Sequence, residues 1–208
     1  AFAVAKRART ETRVGAAPVS VAFAATRLAG QVYGDLAGVS ALLVGAGDTI
    51  ELVARHLVQT GLQRMTVANR TMANAEALAA HYDARAIALP DLPRLLHEAD
   101  LVICSTAARE PVISRADLQA ALAQRRHRPM LFVDLAVPRD VDPGVATLDD
   151  VFLYTVDDLA AVIEDNLRSR REAALEAEAI IDLQVEHYAT WLRAQDGHGP
   201  LRALRRGA

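Results

Sequence analysis

Short apolar runs alternate along this chain with segments whose apolar residues recur at helical spacing. The runs are "ALLVGAG", "RMTVANR", "ARAIALP", "LVICST", "MLFVDLA" and "VFLYTV". A short run with little polar alternation is typical of a strand buried on both faces. Strands that alternate with helices on short links form parallel sheets. The pattern therefore predicts an α/β fold, a Rossmann-like doubly wound parallel sheet followed by a long α-helix.

Two of the intervening helices are expected to begin at a capping residue. Ser114, with Asp117 three residues later, forms the pattern of a capping box before a helix through Leu118 and Leu122. Asp91 is placed to cap a short helix in "DLPRLLHEAD", whose proline falls in the first turn, where it is tolerated. These two residues set the expected starts of both helices.

The apolar periodicity changes after Asp157. Apolar residues recur there at steps of three, four or seven as far as Leu192, and no glycine or proline interrupts residues 157–195. An unbroken helix of this length would be on the order of 55 Å long. Because one small domain cannot bury such a stripe, we expect the helix to lie along another domain or another subunit. Two helices with an unrecognised break are the alternative.

Composition excludes several classes of protein. The chain has 208 residues, a net charge of −3 and a single cysteine, Cys104. One cysteine rules out a disulfide framework and a cysteine-rich zinc site, and it favours a reducing compartment, the cytoplasm. The histidines lack ligand spacing, and no apolar run reaches membrane-spanning length. We therefore expect no metal site and no membrane span.

The first apolar run leads into "VGAGDTI", residues 44–50, which nearly matches the dinucleotide-binding loop G-x-G-x-x-G. Gly45 allows a tight turn after the strand, and Gly47 lets the backbone approach a diphosphate. N–H groups at the start of the following helix then attract the anion. An ordinary turn between strand and helix is the alternative. We assign cofactor contacts to Gly45, Ala46, Gly47, Asp48, Thr49 and Ile50.

The last residues of this loop depart from the usual pattern. Asp48 would repel a diphosphate, so we interpret it as the N-cap of the helix, with Glu51 completing a capping box. Thr49 offers its hydroxyl to a phosphate. Ile50 replaces the third glycine, and its branched side chain should hold the helix slightly further from the strand without removing the N–H donors.

The end of the second predicted strand indicates which dinucleotide binds. An NAD site needs an acidic residue there for the ribose 2′-hydroxyl, whereas this chain has Asn69, Arg70 and Thr71. Arg70 can pair with a 2′-phosphate and stack on the adenine, and Thr71 can add a hydroxyl and cap the next helix. These residues predict NADPH as the cofactor; a plain surface arginine is the alternative.

The crevice beside the later strands offers few reactive groups. Ser105 and Thr106 end the fourth predicted strand and should line the path of a nicotinamide, although they equally fit caps on the backbone. Residues 134–143, after the fifth strand, should line the same crevice, although Asp134 equally fits a brace for its own loop. Cys104 lies within an apolar run, where a thiol is usually an inert hydrophobe. From the residues alone, we assign no catalytic residue.

Several long segments form a set that is more specific than the glycine loop. They are "TETRVGAAPVSVAFAA", "LLVGAGDTIELVARHL", "ANRT", "VICSTAAREPVI", "FVDLAVPRDVDP" and "YTVDDL". In this order they closely resemble bacterial glutamyl-tRNA reductase, over nearly the whole chain. By position, residues 45–50 match that family's nucleotide loop, residues 69–71 its 2′-phosphate site, and Ser105 and Thr106 fall near the nicotinamide path. No catalytic residue of the family maps onto this chain.

The resemblance implies an activity for the whole protein. Members of that family use NADPH to reduce glutamate attached to its tRNA to glutamate-1-semialdehyde, in the first step of tetrapyrrole biosynthesis. A cysteine in an N-terminal catalytic domain forms a thioester on the way, and Cys104 is not at that position. The implied partners are glutamyl-tRNA, a second subunit of a homodimer joined through the long helix and a C-terminal domain, and glutamate-1-semialdehyde aminomutase.

The same resemblance divides the chain into three parts. Residues 1–17 correspond to the end of the helical catalytic domain, and residues 18–156 to the NADP-binding Rossmann domain. Residues 157–208 correspond to the long linking helix and the start of a dimerisation domain. Because the chain also lacks an initiator methionine, we expect a fragment that binds NADPH without turnover.

Two other functions remain open. A reductase similar to shikimate dehydrogenase would share the glycine loop and the "NRT" segment, but it would need a lysine and aspartate pair in a preceding substrate domain, and Lys6 is the only lysine here. A non-catalytic dinucleotide sensor would instead use the long helix to transmit a signal between subunits.

Overall fold

One sheet organises the part of the chain that the structure describes. In this computed structural model that part comprises residues 17–126 and 128–159, with side chains from residue 21 onward. Its strands are β1 (Ser40–Val44), β2 (Arg64–Asn69), β3 (Arg85–Ala88), β4 (Leu101–Cys104), β5 (Met130–Asp134) and β6 (Val151–Thr155). They lie in the order β3-β2-β1-β4-β5-β6, and every neighbouring pair is parallel. The predicted doubly wound sheet is confirmed, and its strand order reverses beside β1.

Helices cover both faces of this sheet. They are α1 (Ala17–Tyr33), α2 (Asp48–Gln59), α3 (Met72–Ala80), α4 (Leu92–Leu95) and α5 (Arg115–Gln124), with short 3-10 turns at Leu89–Asp91, Leu96–Glu98 and Pro143–Thr147. Apolar residues of α1, α2 and α3 belong to the core on one face. Those of α4 and α5 belong to the core on the other face. The central strands β1, β4 and β5 are therefore enclosed between helical layers.

Alternate residues of the central strands supply the two cores. In β1, Ala41 and Leu43 face the core shared with α1 to α3, whereas Leu42 and Val44 face the core shared with α4 and α5. This follows from the two-residue period of a strand. Because both faces are buried, the strand has no polar alternation, which explains why continuous apolar runs marked the strands in the sequence.

The two predicted helix caps have different outcomes. The capping box is confirmed: Ser114 Oγ accepts a hydrogen bond from the Asp117 amide at 3.1 Å, and the Asp117 carboxylate accepts from the Ser114 amide at 3.4 Å. Asp91 occupies the N-cap position of α4, as predicted, but its side chain does not act as a cap. Asp91 closes a 3-10 turn with φ −85° and ψ −9°, so its backbone is already helical and its side chain makes no capping bond to α4. A capping side chain needs an extended backbone.

A buried ion pair ties together the amino ends of β1, β4 and β5. Arg125 Nη2 lies 2.8 Å from Asp100 Oδ1, and the Arg125 side chain is 1% exposed. The other Asp100 oxygen accepts from the amide of Ser40, the first residue of β1, at 3.1 Å. The guanidinium also donates to three carbonyl groups, those of His97, Arg128 and Pro129. Every charge in this cluster is thus compensated by a partner.

Most of the predicted long helix lies outside the described residues. Helix follows β6 at residues 156–159, and the Asp158 carboxylate accepts from the amide and the hydroxyl of Thr155, each at 2.7 Å. Residues 160–195 of that prediction and the predicted catalytic-domain remnant at 1–16 are not described. The domain boundaries after residues 17 and 156 therefore stay predictions.

Candidate functional site

A cleft of about 480 Å³ lies where β1, β2 and β4 end. Its walls come from three loops, because the carboxyl ends of parallel strands meet at one edge of the sheet. Eight of the eleven residues predicted to bind the cofactor line it: Gly45, Ala46, Gly47, Asn69, Arg70, Thr71, Ser105 and Thr106. The lining also includes four residues that the sequence analysis missed, Asn74, Leu89, Ala107 and Ala108.

Gly45 is the closest point between the loops after β1 and β4. Its φ is +115°, and a Cβ added there would overlap the carbonyl oxygen of Ser105. The Gly45 amide donates to the carbonyl of Ala68 in β2 at 2.8 Å, and the Ser105 amide donates to that of Val44 at 2.9 Å. Only glycine has the freedom and the space for this turn.

Gly47 is the N-cap of α2 and borders open space. Its backbone is extended, with φ −92° and ψ 176°, and a Cβ added there would meet nothing within 4 Å. The first amides of a helix have no partner within the helix, and the dipole makes this end attractive to anions. The loop therefore has the access and the donors that a phosphate needs.

The three loop residues after Gly47 do not line the cleft. Asp48 is the first residue of α2 rather than its N-cap, and no side-chain capping bond forms, so the predicted capping box with Glu51 is wrong. The helix begins one residue earlier than expected, and the Glu51 amide donates to the Gly47 carbonyl at 3.0 Å. Thr49, half-buried, is likewise not among the lining residues.

The side chain of Ile50 lies in the core instead of the loop. It is fully buried and belongs to the same core as Leu43 and Val53. The buried side chain of Ile50 therefore makes no contact with the cleft. Only the main-chain amide of Ile50 is left for the predicted cofactor contact. Because the side chain points away from the opening beside Gly47, the missing third glycine does not block the cleft.

Arg70 is exposed at the wall that follows β2. Its guanidinium makes no hydrogen bond or ion pair with the described residues, and the cleft lining contains no acidic side chain. Asn69 Nδ2 donates to the carbonyl of Thr71 at 3.1 Å and so shapes the turn that carries Arg70. Thr71 occupies the N-cap position of α3, but its hydroxyl makes no capping bond. A free cation without a nearby carboxylate suits a phosphate.

Ser105 and Thr106 form the wall that follows β4, and they have different environments. The Thr106 amide donates to Asp140 Oδ2 at 2.7 Å, and its hydroxyl donates to Asp140 Oδ1. That hydroxyl also accepts from the Ala108 amide at 3.1 Å. The Ser105 hydroxyl has no hydrogen-bond partner within the part of the chain that is described. Of the two hydroxyl groups, that of Ser105 is the one left for a ligand.

The comparisons with known proteins agree with this architecture. The model of the shikimate/quinate 5-dehydrogenase family matches residues 27–162. The chain belongs to this family. It is 51% identical over 207 residues to a glutamyl-tRNA reductase of Methylococcus capsulatus. The aligned region covers all of this chain and 49% of that relative. It is 57% identical to the enzyme of that name from Stenotrophomonas maltophilia, over 98% of this chain and 48% of the relative.

A solved structure shows the same likeness. Glutamyl-tRNA reductase from Methanopyrus kandleri superposes with a TM-score of 0.73 at 40% identity, over 85% of this chain and 45% of that one. The resemblance to glutamyl-tRNA reductase found in the sequence is thus confirmed. The chain spans about half the length of the curated relatives it matches.

Two buried carboxylates lie behind the cleft in the loop after β5. Asp140 is fully buried; burial raises its pKa, and the bonds from Thr106 oppose that shift. Asp134 is 1% exposed, and burial raises its pKa against the opposing bonds from the amides of Val141 and Ala136, at 3.0 and 3.1 Å. Asp134 therefore braces its own loop, which was one of its two predicted roles.

Cys104 ends β4 beneath this site and lacks the environment of a nucleophile. Its side chain is fully buried, and burial raises the pKa of the thiol well above its usual range, with the nearby Asp134 and Asp140 adding to the shift. A nucleophilic cysteine needs the opposite, a lowered pKa and exposure. This agrees with the prediction that Cys104 is a core residue.

Other sites receive no support from the described part of the chain. There, no cluster of three or more histidine, cysteine, aspartate or glutamate side chains could hold a metal ion. No described helix is both long and apolar enough to cross a membrane. A second cavity of about 480 Å³ lies at the amino ends of β1 to β3, but Arg85 in its wall is paired with Glu98 at 3.5 Å. Ligands of parallel α/β sheets bind at the carboxyl ends instead.

Proposed function

We propose that this chain is the NADPH-binding part of a glutamyl-tRNA reductase. The observation that carries the proposal is the cleft at the switch point of the sheet, bounded by the Gly45–Gly47 loop on one side and by Arg70 on the other. Among the described residues, Arg70 has no ion-pair partner. The similarity to glutamyl-tRNA reductases, 51% identity over the whole chain, supports the same conclusion.

Different residues of the cleft bind different parts of the cofactor. The loop at 45–47 and the first amides of α2 bind the diphosphate, because this loop allows close backbone approach and the helix start attracts anions. Arg70 binds the 2′-phosphate and so selects NADPH over NADH, with Asn69 and Thr71 shaping the turn beneath it. Ser105 lies along the path to the nicotinamide. NADPH, when bound, supplies the hydride.

In the whole protein, this cofactor serves the reduction of glutamyl-tRNA to glutamate-1-semialdehyde, the first step of tetrapyrrole biosynthesis. The cysteine thioester that accepts the hydride forms elsewhere, because Cys104 is buried and its pKa is raised. We further propose that residues 157–208 join this unit to a dimerisation domain, that the protein is a cytoplasmic homodimer, and that glutamate-1-semialdehyde aminomutase receives its product. Residues 1–17 would end the catalytic domain, and residues 18–156 would be the Rossmann domain.

The 208 residues are therefore expected to bind NADPH without catalysing the reaction. The test is a titration of the chain with NADPH and with NADH, followed by an assay with glutamyl-tRNA. Tight NADPH binding, weak NADH binding and no semialdehyde are the expected results. Equal affinity for the two nucleotides would contradict the 2′-phosphate assignment, and turnover would contradict the absence of a catalytic residue.

A dehydrogenase acting on shikimate or quinate is the second candidate, because that family's model matches residues 27–162. It is less favoured, since the relatives that match the whole chain at 51% identity or more are glutamyl-tRNA reductases. Reduction of NADP⁺ by the chain in the presence of shikimate or quinate would favour it.

A further inference from the structure

Asp140 uses its whole carboxylate to hold one residue of the cleft wall. Oδ2 accepts the Thr106 amide at 2.7 Å, and Oδ1 accepts the Thr106 hydroxyl. Asp140 itself is fully buried in the loop after β5 and is not among the residues that line the cleft. Two hydrogen bonds to one side chain, from the amide and the hydroxyl of the same residue, constrain Thr106 more than a single turn bond would.

The main chain of Asp140 holds the other end of the same segment. Its carbonyl accepts from the amides of Val112 and Ile113 at 2.7 and 3.1 Å. Ile113 also forms an isolated parallel bridge with Val141. One residue therefore anchors the segment from Thr106 to Ile113 at both ends, against the loop that follows the neighbouring strand.

Part of this anchored segment faces the cleft. Ser105, Ala107 and Ala108 line the cavity together with Thr106. The Thr106 hydroxyl donates to Asp140 and accepts from the Ala108 amide, so it joins the two loops and has no role left as a donor to a ligand. The Ser105 hydroxyl is unengaged among the described residues.

We propose that Asp140 is a positioning residue for nucleotide binding: through Thr106 it holds residues 105–108 as the nicotinamide-side wall of the cleft, and Ser105 supplies the hydroxyl that contacts the cofactor. This inference rests on the proposed function. A wall that is ordered before binding lowers the entropy lost when the ligand arrives, and so raises affinity. The wall follows β4, whereas Arg70 follows β2 on the other side of β1. The effect should therefore be confined to the nicotinamide half of the ligand.

The experiment compares two ligands on variants of the 208-residue chain. Thr106→Val removes the hydroxyl and keeps the shape of the side chain, whereas Thr106→Ser keeps the hydroxyl and removes the methyl group. Asp140→Asn weakens residue 140 as the acceptor of the bonds from Thr106. Thr147→Val is the matched control, because the Thr147 hydroxyl lies on an exposed turn and, among the described residues, bonds only the Gly144 carbonyl, at 2.8 Å. Dissociation constants are measured for NADPH and for 2′,5′-ADP, which lacks the nicotinamide half.

The expected result is a loss that depends on the ligand. Thr106→Val, which removes the hydroxyl bond, and Asp140→Asn, which weakens both bonds to Thr106, should each weaken NADPH binding about tenfold. The double variant should lose less than the sum of the two losses, since both substitutions act on the same contact. Thr106→Ser and Thr147→Val should stay within about twofold of the parent chain. Binding of 2′,5′-ADP should remain within about twofold in all of them, because its contacts lie beside Arg70.

Three outcomes would overturn the inference. NADPH binding by Thr106→Val equal to that by Thr147→Val would show that the link does not matter for the ligand. Equal losses for NADPH and 2′,5′-ADP would show a general structural effect instead of positioning. Failure of the parent chain to bind either nucleotide would overturn the proposed function, and this inference with it. When the parent chain binds NADPH, the first two outcomes overturn the inference alone and leave the proposed function standing. If Asp140→Asn does not fold, the comparison of Thr106→Val with Thr106→Ser decides alone.

Discussion

Gly45 and the carbonyl oxygen of Ser105 approach so closely that no side chain fits between them. The two residues belong to the loops after β1 and β4, which the sheet order places side by side. The contact joins the diphosphate loop to the opposite wall of the cleft. The two glycines of the loop therefore differ: Gly45 has no space for a side chain, whereas Gly47 borders open space.

Substitution of these glycines should therefore give different phenotypes. Gly45→Ala forces a Cβ into the Ser105 carbonyl at a φ of +115° and should destabilise the fold by several kcal/mol, on the order of an overpacked and strained position. Gly47→Ala should change stability by less than about 1 kcal/mol and still weaken NADPH binding, because its methyl group enters the ligand's approach. Urea unfolding and nucleotide titration of both variants measure this. A Gly45→Ala protein of normal stability would contradict the packing argument.

Arg70→Ala should abolish the preference for NADPH. Loss of a charge-assisted contact with the 2′-phosphate is expected to weaken NADPH about 10- to 100-fold and to leave NADH unchanged, because only NADPH carries that phosphate. The measurement is the ratio of the two dissociation constants. Arg55→Ala, an exposed arginine on α2, is the matched control. An unchanged ratio in Arg70→Ala would refute the assignment.

Arg125 should matter far more for stability than the surface arginine Arg85. Arg125→Met removes one partner of a buried ion pair and leaves Asp100 uncompensated, which typically costs about 3–5 kcal/mol. Arg85→Met breaks an ion pair whose two side chains are 56% and 52% exposed, and should cost less than about 1 kcal/mol. Denaturant unfolding of both variants provides the comparison. Similar losses of stability in the two variants would contradict the prediction that the buried Arg125 matters more than the exposed Arg85.

Tyr33 should make stability depend on alkaline pH. Its hydroxyl donates to the Asp100 carbonyl at 2.7 Å, and burial, together with the Asp100 charge, raises its pKa to about 12. A tyrosine in the unfolded chain ionises at about 10. Folding therefore favours the protonated form, and its contribution is lost as the pH rises from about 10 through about 12.

Tyr33→Phe should remove this part of the pH dependence. Urea unfolding at several alkaline pH values, with tyrosinate absorbance followed in the same samples, tests the sign. In the folded parent, one tyrosine should titrate later than it does in denaturant. If the difference between the absorbance titrations of the folded parent and folded Tyr33→Phe had its midpoint at about 10, Tyr33 would ionise as an exposed tyrosine does, and the prediction would be wrong.

Cys104 should be unreactive while the protein is folded. Because its side chain is buried and the pKa of its thiol is raised, a thiol-specific reagent should label the chain only as fast as it opens. The chain has one cysteine, so the labelling signal is unambiguous. Labelling is compared with and without denaturant at neutral pH. Rapid reaction of the native chain would reopen a catalytic role for this residue.

The positions of the central strands were predictable because these strands are buried on both faces. Ala41 and Leu43 alternate with Leu42 and Val44 between two cores, so β1 has no polar residue after Ser40, and the sequence shows that pattern directly. Local chemistry likewise predicted the Ser114 capping box, whose partners are three residues apart. Asp91 stands at the N-cap position without a capping bond, because the 3-10 turn that it closes already gives it a helical backbone.

The cleft was predictable where its residues directly follow a strand. Gly45, Asn69 and Ser105 are the points at which three parallel strands leave the sheet, so their meeting follows from topology alone. Asn74 lies one helical turn beyond Thr71, and that spacing was the available signal for it. Ile50 was misplaced because the loop pattern does not say which way the first turn of α2 faces.

The sequence by itself determined the order of strands and helices, the glycine turn after β1 and the arginine after β2, because these depend on apolar periodicity and on residues close together in the chain. Only the tertiary structure decided that Thr106 is held by Asp140, 34 residues away, that Ile50 is a core residue, and that no carboxylate of the described residues pairs with Arg70. Those facts depend on how loops from different strands meet, and no local pattern records such distances.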